Sequence, residues 1–441
     1  MDLLKRPLNT IQVNNYLLVL LSFFITISIY VTDLIVIALV LSWLISGNIV
    51  KKYKLIINNR FTLPSIIFFI YFLCSFIWSG SAIINNTTQK QLMLLLLPIL
   101  FSSEFNRKYI EQAKYAFILG LLGNILLSIT TFFMPNNSLF KTGHYSEELF
   151  AHAFIDHFDY SIFLCFSIII LLSFNWKKEN FWQYFLLTII LIIALLNSYG
   201  RVGIIAFYIF VPLILLLFFN HRSKYILLFI LPVFSIIAYL SFSPLKNRIN
   251  NTLESIHLLK SGMSFQEKLE KDAIYISSQN DSLSKDQVIN EILKNPEWVS
   301  HIIEKTPQYD TSIGKRYIYA KNSISLIKER LFLGFGANQF KSIYQSRLMK
   351  SQDINHPHNN FVFILFELGL IGLILLLMIF YYQLQAFFSF SLKNFLGLIF
   401  PLFFMFIMMF DNYFLNHNTL CFFCLFTFII YSQINNPPLA N

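Results

Sequence analysis

NNFVFILFELGLIGLILLLMIFYYQ, residues 359–383, decides what kind of protein this is. As one helix it is long enough to cross the roughly 30 Å hydrocarbon core of a bilayer, and it holds a single charged residue, Glu367. Comparable apolar runs lie on both sides of it. Along the chain they fall at 14–30, 32–46, 61–79, 89–102, 113–133, 158–174, 181–197, 202–219, 224–241, 359–383, 394–410 and 413–432. The sequence therefore predicts an all-α polytopic membrane protein with about 12 transmembrane helices. The first two runs meet at Thr32-Asp33, so eleven spans is the alternative count. Composition agrees: 13% of residues are charged, against about 25% in soluble domains.

Between residues 242 and 358 the long apolar runs stop. This stretch carries helix signals instead. Ser284-x-x-Gln287 is a capping box ahead of Val288, Ile289, Ile292 and Leu293. Asn295-Pro296 places an N-cap and an N1 proline ahead of Trp298, Val299, Ile302 and Ile303. A third helix is predicted over 313–331, with Ala320, Ile324, Ile327 and Leu331 on its apolar face and Gly334 as its stop. Three regions follow: N-terminal transmembrane helices at 1–241, a helical loop domain at 242–358 and C-terminal transmembrane helices at 359–441.

Basic residues orient this layout. With the N-terminus in the cytoplasm, 14 Lys and Arg fall in cytoplasmic segments and 3 in short outer loops, while the other 16 sit in the long loop that the positive-inside rule does not count. Both termini are expected inside and the 242–358 domain outside, in the periplasm. Lys5 and Arg6 precede an apolar stretch with no A-x-A site, so the first span is expected to be uncleaved.

Several classes drop out. The net charge of +10 reflects topology, since no zinc-finger spacing or aromatic-basic motif accompanies it, and no nucleic-acid partner is expected. Cys74, Cys165, Cys421 and Cys424 all lie in apolar runs, which argues against a disulfide framework and makes the Cys421-x-x-Cys424 pair small buried residues. No G-x-x-x-x-G-K stands in the chain, and no D-x-D. A lipid-linked oligosaccharide flippase is a rival of another class, but such transporters tend to carry inverted repeats and midplane polar groups.

Ionisable residues at membrane depth are functional candidates by default. Here they favour the outer ends of the predicted spans. Arg201 closes the Asn197-Ser198-Tyr199-Gly200-Arg201 turn, and His356, His358 and Glu367 sit where the long loop re-enters the membrane. Asp411 and His417 flank the last outer turn, and His144, Glu147, Glu148, His152, Asp156, His157 and Asp159 crowd another loop. His152, Asp156 and His157 have helical spacing that would suit a metal, although an interfacial polar loop is the plainer reading.

The stretch Asn355-His356-Pro357-His358-Asn359-Asn360, followed by Glu367-Leu-Gly369-Leu-Ile-Gly372, resembles the O-antigen ligase and O-antigen polymerase superfamily. The ligase pattern of His, a small polar residue, nine residues, Gly, two residues and Gly reads here His358-Asn359 to Gly369 and Gly372. Arg316 heading a helix that ends at Gly334-Phe335-Gly336, and the Tyr199-Gly200-Arg201 turn, resemble two further motifs of the superfamily. Leu331-Phe332 stands where a Pro is often found. The resemblance implies a fold like the C-type membrane glycosyltransferases and an inner-membrane enzyme with its active site facing the periplasm. The implied donor is an undecaprenyl-pyrophosphate-linked glycan and the implied acceptor lipid A–core. O-antigen polymerase and protein O-oligosaccharyltransferase share the donor and are the alternatives.

Under that reading His358, Arg316 and Arg201 are the catalytic candidates, and His356, Asn359, Glu367 and Asp411 the substrate-binding ones. Arginine matches the leaving pyrophosphate with a permanent charge and a planar fork. A sugar hydroxyl needs a base near neutral pKa, which histidine supplies. No metal is expected, because no D-x-D stands in the chain, and no cofactor, because the activated carrier already provides the driving force.

Overall fold

The computed structural model describes residues 10–133, 152, 154–219, 235–241, 243–262, 265–279, 284–295, 311–348, 354–389 and 394–432, with a few isolated positions between them. Among these the secondary structure is helical, apart from one isolated bridge between Ser28 and Phe154. The first group is α1 (Thr10–Phe24), α2 (Ile29–Ile45), α3 (Ile49–Asn58), α4 (Thr62–Cys74), α5 (Phe76–Ser79), α6 (Asn86–Gln91), α7 (Leu96–Ser102), α8 (Arg107–Phe133), α9 (His157–Ser173), α10 (Phe181–Leu196) and α11 (Arg201–Phe218). The middle of the chain contributes α12 (Ser243–Ser261), α13 (Phe265–Gln279), α14 (Lys285–Lys294), α15 (Ser312–Ile327) and α16 (Phe340–Arg347). The last group is α17 (Asn360–Ser389), α18 (Leu396–Met408) and α19 (His417–Tyr431).

Four stretches are each long and apolar enough to cross a membrane: Thr62–Ser79, Arg107–Ile129, Arg201–Phe218 and Asn360–Ser389. Helices α1, α9, α10, α18 and α19 are equally apolar but shorter, and α2 with α3 qualifies only as a pair bent by 118°. The run at 89–102 is helical throughout but tightens into a 3-10 turn at Leu92–Leu95 between α6 and α7. Half of the predicted run at 224–241 lies outside the described residues, and the described half is helical.

This is a helical membrane protein, and its sidedness of burial fits lipid as solvent. Leu34, Ile37, Leu41, Leu44 and Ile45 of α2 are all more than half exposed, as a surface facing acyl chains tolerates. The interior gathers around α19, buried from Asn418 to Tyr431. Phe422, Phe423 and Phe426 stack with Phe166 of α9 and with Phe400 and Phe404 of α18. Cys165, Cys421 and Cys424 are buried free thiols in this core, whereas Cys74 is exposed.

The capping box of α14 forms in full: Gln287 N–H donates to Ser284 Oγ, and Ser284 N–H donates to Gln287 Oε1. Leu269, Ala273, Val288, Ile292 and Ile302 make a small core of their own. Residues 296 and 297 lie outside the described residues, but of the helix expected there Trp298, Val299 and Ile302 are helical, and Val299 N–H donates to Asn295 O at 3.1 Å.

Helix α15 starts where expected, with Thr311 Oγ1 accepting from Gly314 N–H at 3.0 Å. Its apolar face is corrected. Ile324 and Leu331 are 50% and 42% exposed, and the buried side carries Ile318, Tyr319, Ser323, Leu326 and Ile327. The helix packs that side on α17, which leaves Ile313, Arg316, Tyr317 and Ala320 facing a cavity.

Candidate active site

The spacing from His358 to Gly369 acquires a physical meaning in α17. Gly369 has φ 65° and ψ −167°, so the helix breaks there. The turn 331–336 docks into the break. Phe335 and Gly336 donate from their N–H groups to the carbonyls of Phe366 and Glu367 at 2.9 and 2.7 Å, and Leu370 N–H donates to Leu331 O at 2.8 Å. Backbone groups freed at membrane depth must find partners inside the protein, and here the docked turn supplies them. Neither glycine can carry a side chain. A Cβ on Gly369 would lie 2.2 Å from Phe332 O, and one on Gly334 would lie 2.4 Å from Glu367 O.

Glu367 belongs to this joint. It is 2% exposed, and its Oε1 accepts from Phe340 N–H, the first residue of α16, at 3.1 Å. A carboxylate at a helix N-terminus satisfies orphan donors and meets the positive end of the dipole.

The other end of the motif forms the candidate site. His358 sits in the left-handed region at φ 54°, a conformation unusual for a residue with a Cβ and a common mark of functional sites. Two asparagines lock its neighbourhood. Asn359 Oδ1 accepts from Val362 N–H at 3.1 Å, capping α17, while its Nδ2 donates to Met409 O at 3.1 Å. Asn360 is fully buried. Its Nδ2 donates to Asn412 Oδ1 at 2.7 Å and its Oδ1 accepts from Phe414 N–H at 3.0 Å. The start of α17 is thereby fastened to the turn between α18 and α19.

Asp411 on that turn is the hub. Its carboxylate lies 3.2 and 3.3 Å from His358 Nδ1, 3.8 Å from His356 Nδ1 and 3.4 Å from an Arg316 guanidinium nitrogen. Asn412 N–H adds a 2.8 Å bond. The His356 and His358 rings meet edge to face at 4.4 Å, and Tyr319 stacks on His358 at 6.4 Å. Burial works to raise the Asp411 pKa, but the His358 hydrogen bond and the charges of His358, His356 and Arg316 overcome it, so Asp411 titrates below its ordinary value. His356 is pushed down to about 4, first by burial and then by the charge of His358, against the upward pull of Asp411. At neutral pH the centre therefore holds an ionised Asp411 and a neutral His356.

These groups open onto a cavity of about 510 Å³. Arg201 at the head of α11, Arg316, His358 and Asn359 lie in its lining. Most of the remaining wall is apolar, from Ile205 of α11, Leu245, Ile249 and Leu253 of α12, and Met409 and Phe410. Arg201 is helical rather than part of the preceding turn. Arg316 pairs with a carboxylate 95 residues away in sequence.

The three residues expected to be catalytic thus share one cavity, with Asn359 beside them and His356 and Asp411 behind His358. Glu367 does not line it. His356, His358 and Asp411 also present their ligand atoms within 4.8 Å of one another, a spacing compatible with a metal ion, which the sequence did not suggest. His157 lies 3.4 Å from Asp156, and its ring is 5.9 Å from that of His152. The His152 ring bonds the Ile155 carbonyl. His144, Glu147 and Glu148 lie outside the described residues.

Residues 186–377 match the protein family described as O-antigen ligase. The match starts within α10 and ends within α17, so it takes in Arg201, Arg316, His356, His358 and Gly369 but stops short of Asp411. No curated protein matches the chain.

Proposed function

We propose that this chain, an O-antigen ligase-type protein through its residues 186–377, transfers a glycan from undecaprenyl pyrophosphate to the outer sugar of lipid A–core. The match supports reading it as a glycosyltransferase-type membrane enzyme of lipopolysaccharide assembly that works on lipid-linked glycan. The ligase step, the acceptor and the residue roles are our reading. One observation carries it: two arginines and a carboxylate-held histidine line the same mainly apolar cavity.

Each part of the donor then has a counterpart. The polyprenyl chain lies along the apolar wall of α11 and α12. The pyrophosphate meets Arg201 and Arg316, whose charges stabilise it as it leaves. The Asp411 carboxylate accepts the His358 Nδ1 proton, which fixes the tautomer with a free Nε2 lone pair. That nitrogen takes the proton of the acceptor hydroxyl while the hydroxyl oxygen bonds to the anomeric carbon. The bond from that carbon to the phosphate oxygen breaks, and its electron pair goes to undecaprenyl pyrophosphate. His358 then returns its proton to bulk water.

The ligand spacing of His356, His358 and Asp411 favours a second reading, with a divalent ion at the centre. We prefer the metal-free route. Arg316 already lies 3.4 Å from Asp411, and a dication there would compete with it for the same carboxylate. A chelator should leave transfer unaffected. Loss of transfer with EDTA and recovery on adding metal would favour the ion.

The reading includes twelve spans, an inner-membrane location and a periplasmic 242–358 domain. Cysteines introduced at Ser278 and Lys178, both exposed, should label from outside and not at all, respectively, with an impermeant maleimide. The reverse pattern would overturn the orientation. The deciding experiment is the glycolipid profile of a deletion strain. Loss of a ligase leaves lipid A–core bare while glycan accumulates on undecaprenyl pyrophosphate. Core capped with a single repeat would indicate a polymerase, and unchanged lipopolysaccharide with glycan missing from protein would indicate an O-oligosaccharyltransferase.

A further inference from the structure

The second cavity of interest lies at the other end of α19. His417 heads this helix just after the turn that carries Asp411, while Phe428 near its foot and Ser432 beyond it line an open pocket of about 780 Å³. Fifteen residues separate the two ends, about 22 Å at the helical rise, so the pocket sits at the opposite membrane face. None of its lining residues takes part in the proposed transfer.

Helix α3 forms one wall. The chain turns sharply into it through two consecutive left-handed residues, Gly47 (φ 65°) and Asn48 (φ 53°), giving a 118° bend after α2. The bend carries α3 away from the direction of the preceding apolar helix, and its sequence IVKKYKLIIN is amphipathic. Ile49, Tyr53 and Ile57 share one arc, at 68%, 62% and 38% exposure. Lys51, Lys54 and Asn58 share another and line the pocket, with Val50 and Leu55 lining it beside them. Lys52 is committed elsewhere: its Nζ donates to Ser46 Oγ at 2.7 Å and sits 4.7 Å from the Trp43 ring, fastening α3 to the end of α2. An exposed apolar arc beside a lysine arc, on a helix bent at the end of an apolar segment, is the signature of a helix lying in the bilayer interface.

We propose that this pocket seats the headgroup of an anionic phospholipid. The acyl chains would pass beside the apolar arc of α3, and the phosphate would meet Lys51 and Lys54. Both lysine arc and apolar arc point to one occupant with a charged head and an apolar body. Glu104 opposes it: the carboxylate lines the same pocket and pairs with Lys51 Nζ at 2.7 Å. Lipid phosphate competes with Glu104 for Lys51 and meets Lys54 without a competitor in the pocket lining. The proposal does not depend on the transfer reading.

The test uses the full chain purified in detergent doped with equal amounts of phosphatidylglycerol and phosphatidylcholine, with retained lipid quantified by mass spectrometry. Wild type should retain phosphatidylglycerol in excess. Each juxtamembrane lysine contributes roughly fivefold to such binding, so Lys51→Gln with Lys54→Gln should cut the excess by about five- to thirtyfold. Glu104→Gln should raise it. Equal retention of the two lipids by wild type, an unchanged excess in the double variant, or a fall with Glu104→Gln would each overturn the proposal. Inorganic phosphate should not displace the retained lipid; displacement would assign the lysines to a free anion and overturn it as well.

Discussion

Two polar groups hang on the turn between α18 and α19, and they behave differently. The first is Asp411 with His356, His358 and Arg316. It borders a cavity, and its side chains remain 10% to 32% exposed. The second is Asp159 with Asn416 and Asn418. Asp159 is fully buried, and its two oxygens accept one amide hydrogen bond each, at 3.1 Å. Asn418 also reaches Ile25 O at 3.4 Å, and the neighbouring His417 lies 3.1 Å from Asp33. Both groups contain a carboxylate that ties distant helices together. Only the first gathers unlike charges at the edge of a space large enough for a ligand. Position in the membrane marks both as costly; access to a cavity separates a site from a clasp.

Removing the base should give the largest effect. His358→Ala is expected to lower transfer by roughly 10²- to 10⁴-fold, read in membranes supplied with purified carrier-linked glycan. Asp411→Asn should fall in the same range because it spoils the tautomer. His356→Ala should cost less, since His356 stands behind His358. A His356→Ala defect larger than that of His358→Ala would reverse the assignment within the first group.

The arginines come next. Arg201→Lys and Arg316→Lys keep the charge and lose the planar fork, and each should cut transfer by about 100-fold with protein level unchanged. Arg316→Lys also tests whether the ion pair to Asp411 is structural. Near-normal transfer in both variants would move the arginines to the clasp side of the comparison.

The two groups were unequally legible in the sequence. His358 and Arg201 stand out because permanent or titratable charge at the ends of apolar runs is rare and costly, and Arg316 stands out only through the motif it heads. Asp411 was visible as a polar residue, but its role as the hub was not. The contacts joining it to His358 and Arg316 span 53 and 95 residues, and no local spacing encodes them. Gly369 was seen only as part of a pattern. Its reason lies in the docked 331–336 turn, a non-local backbone pairing. The buried face of α15 is hidden from the sequence for a related cause. A helix with apolar residues on two sides does not say which side meets protein and which meets a ligand cavity, so Ile318 and Tyr319 lost to Ile324 and Leu331. The run at 89–102 is apolar enough for one span, and hydropathy alone does not register its 3-10 turn at Leu92–Leu95.

The docked turn offers a test of intermediate size that separates architecture from chemistry. Gly369→Ala places a Cβ 2.2 Å from Phe332 O at a φ of 65°. Strain of this kind costs on the order of 1–3 kcal/mol before the clash is counted. The melting temperature of the detergent-solubilised protein should fall, and transfer should fall with the folded fraction. Loss of transfer without loss of stability would mean that the break in α17 moves during the reaction, and the joint would then belong with the site.

Asp159→Asn should have the smallest effect, and it bears most directly on the contrast between the groups. The carboxylate accepts from Asn416 Nδ2 and Asn418 Nδ2, and Asn418 Oδ1 is buried with no hydrogen-bond partner. An amide at position 159 keeps one acceptor oxygen for one of these donors. Its new NH₂ can donate to Asn418 Oδ1 once that side chain turns over, so both contacts to position 159 are kept and only the long 3.4 Å bond from Asn418 to Ile25 O is given up. Stability should change by no more than about 1 kcal/mol, whereas Asp159→Ala, which orphans two buried amides, should cost about 1–3 kcal/mol for each. Transfer by the Asn variant should stay within a few-fold of wild type, against the large loss expected for Asp411→Asn. A loss with Asp159→Asn as deep as that with Asp411→Asn, at unchanged melting temperature, would show that the charge of Asp159 acts on the reaction across the turn. The two groups would then be one site with a buried rear wall.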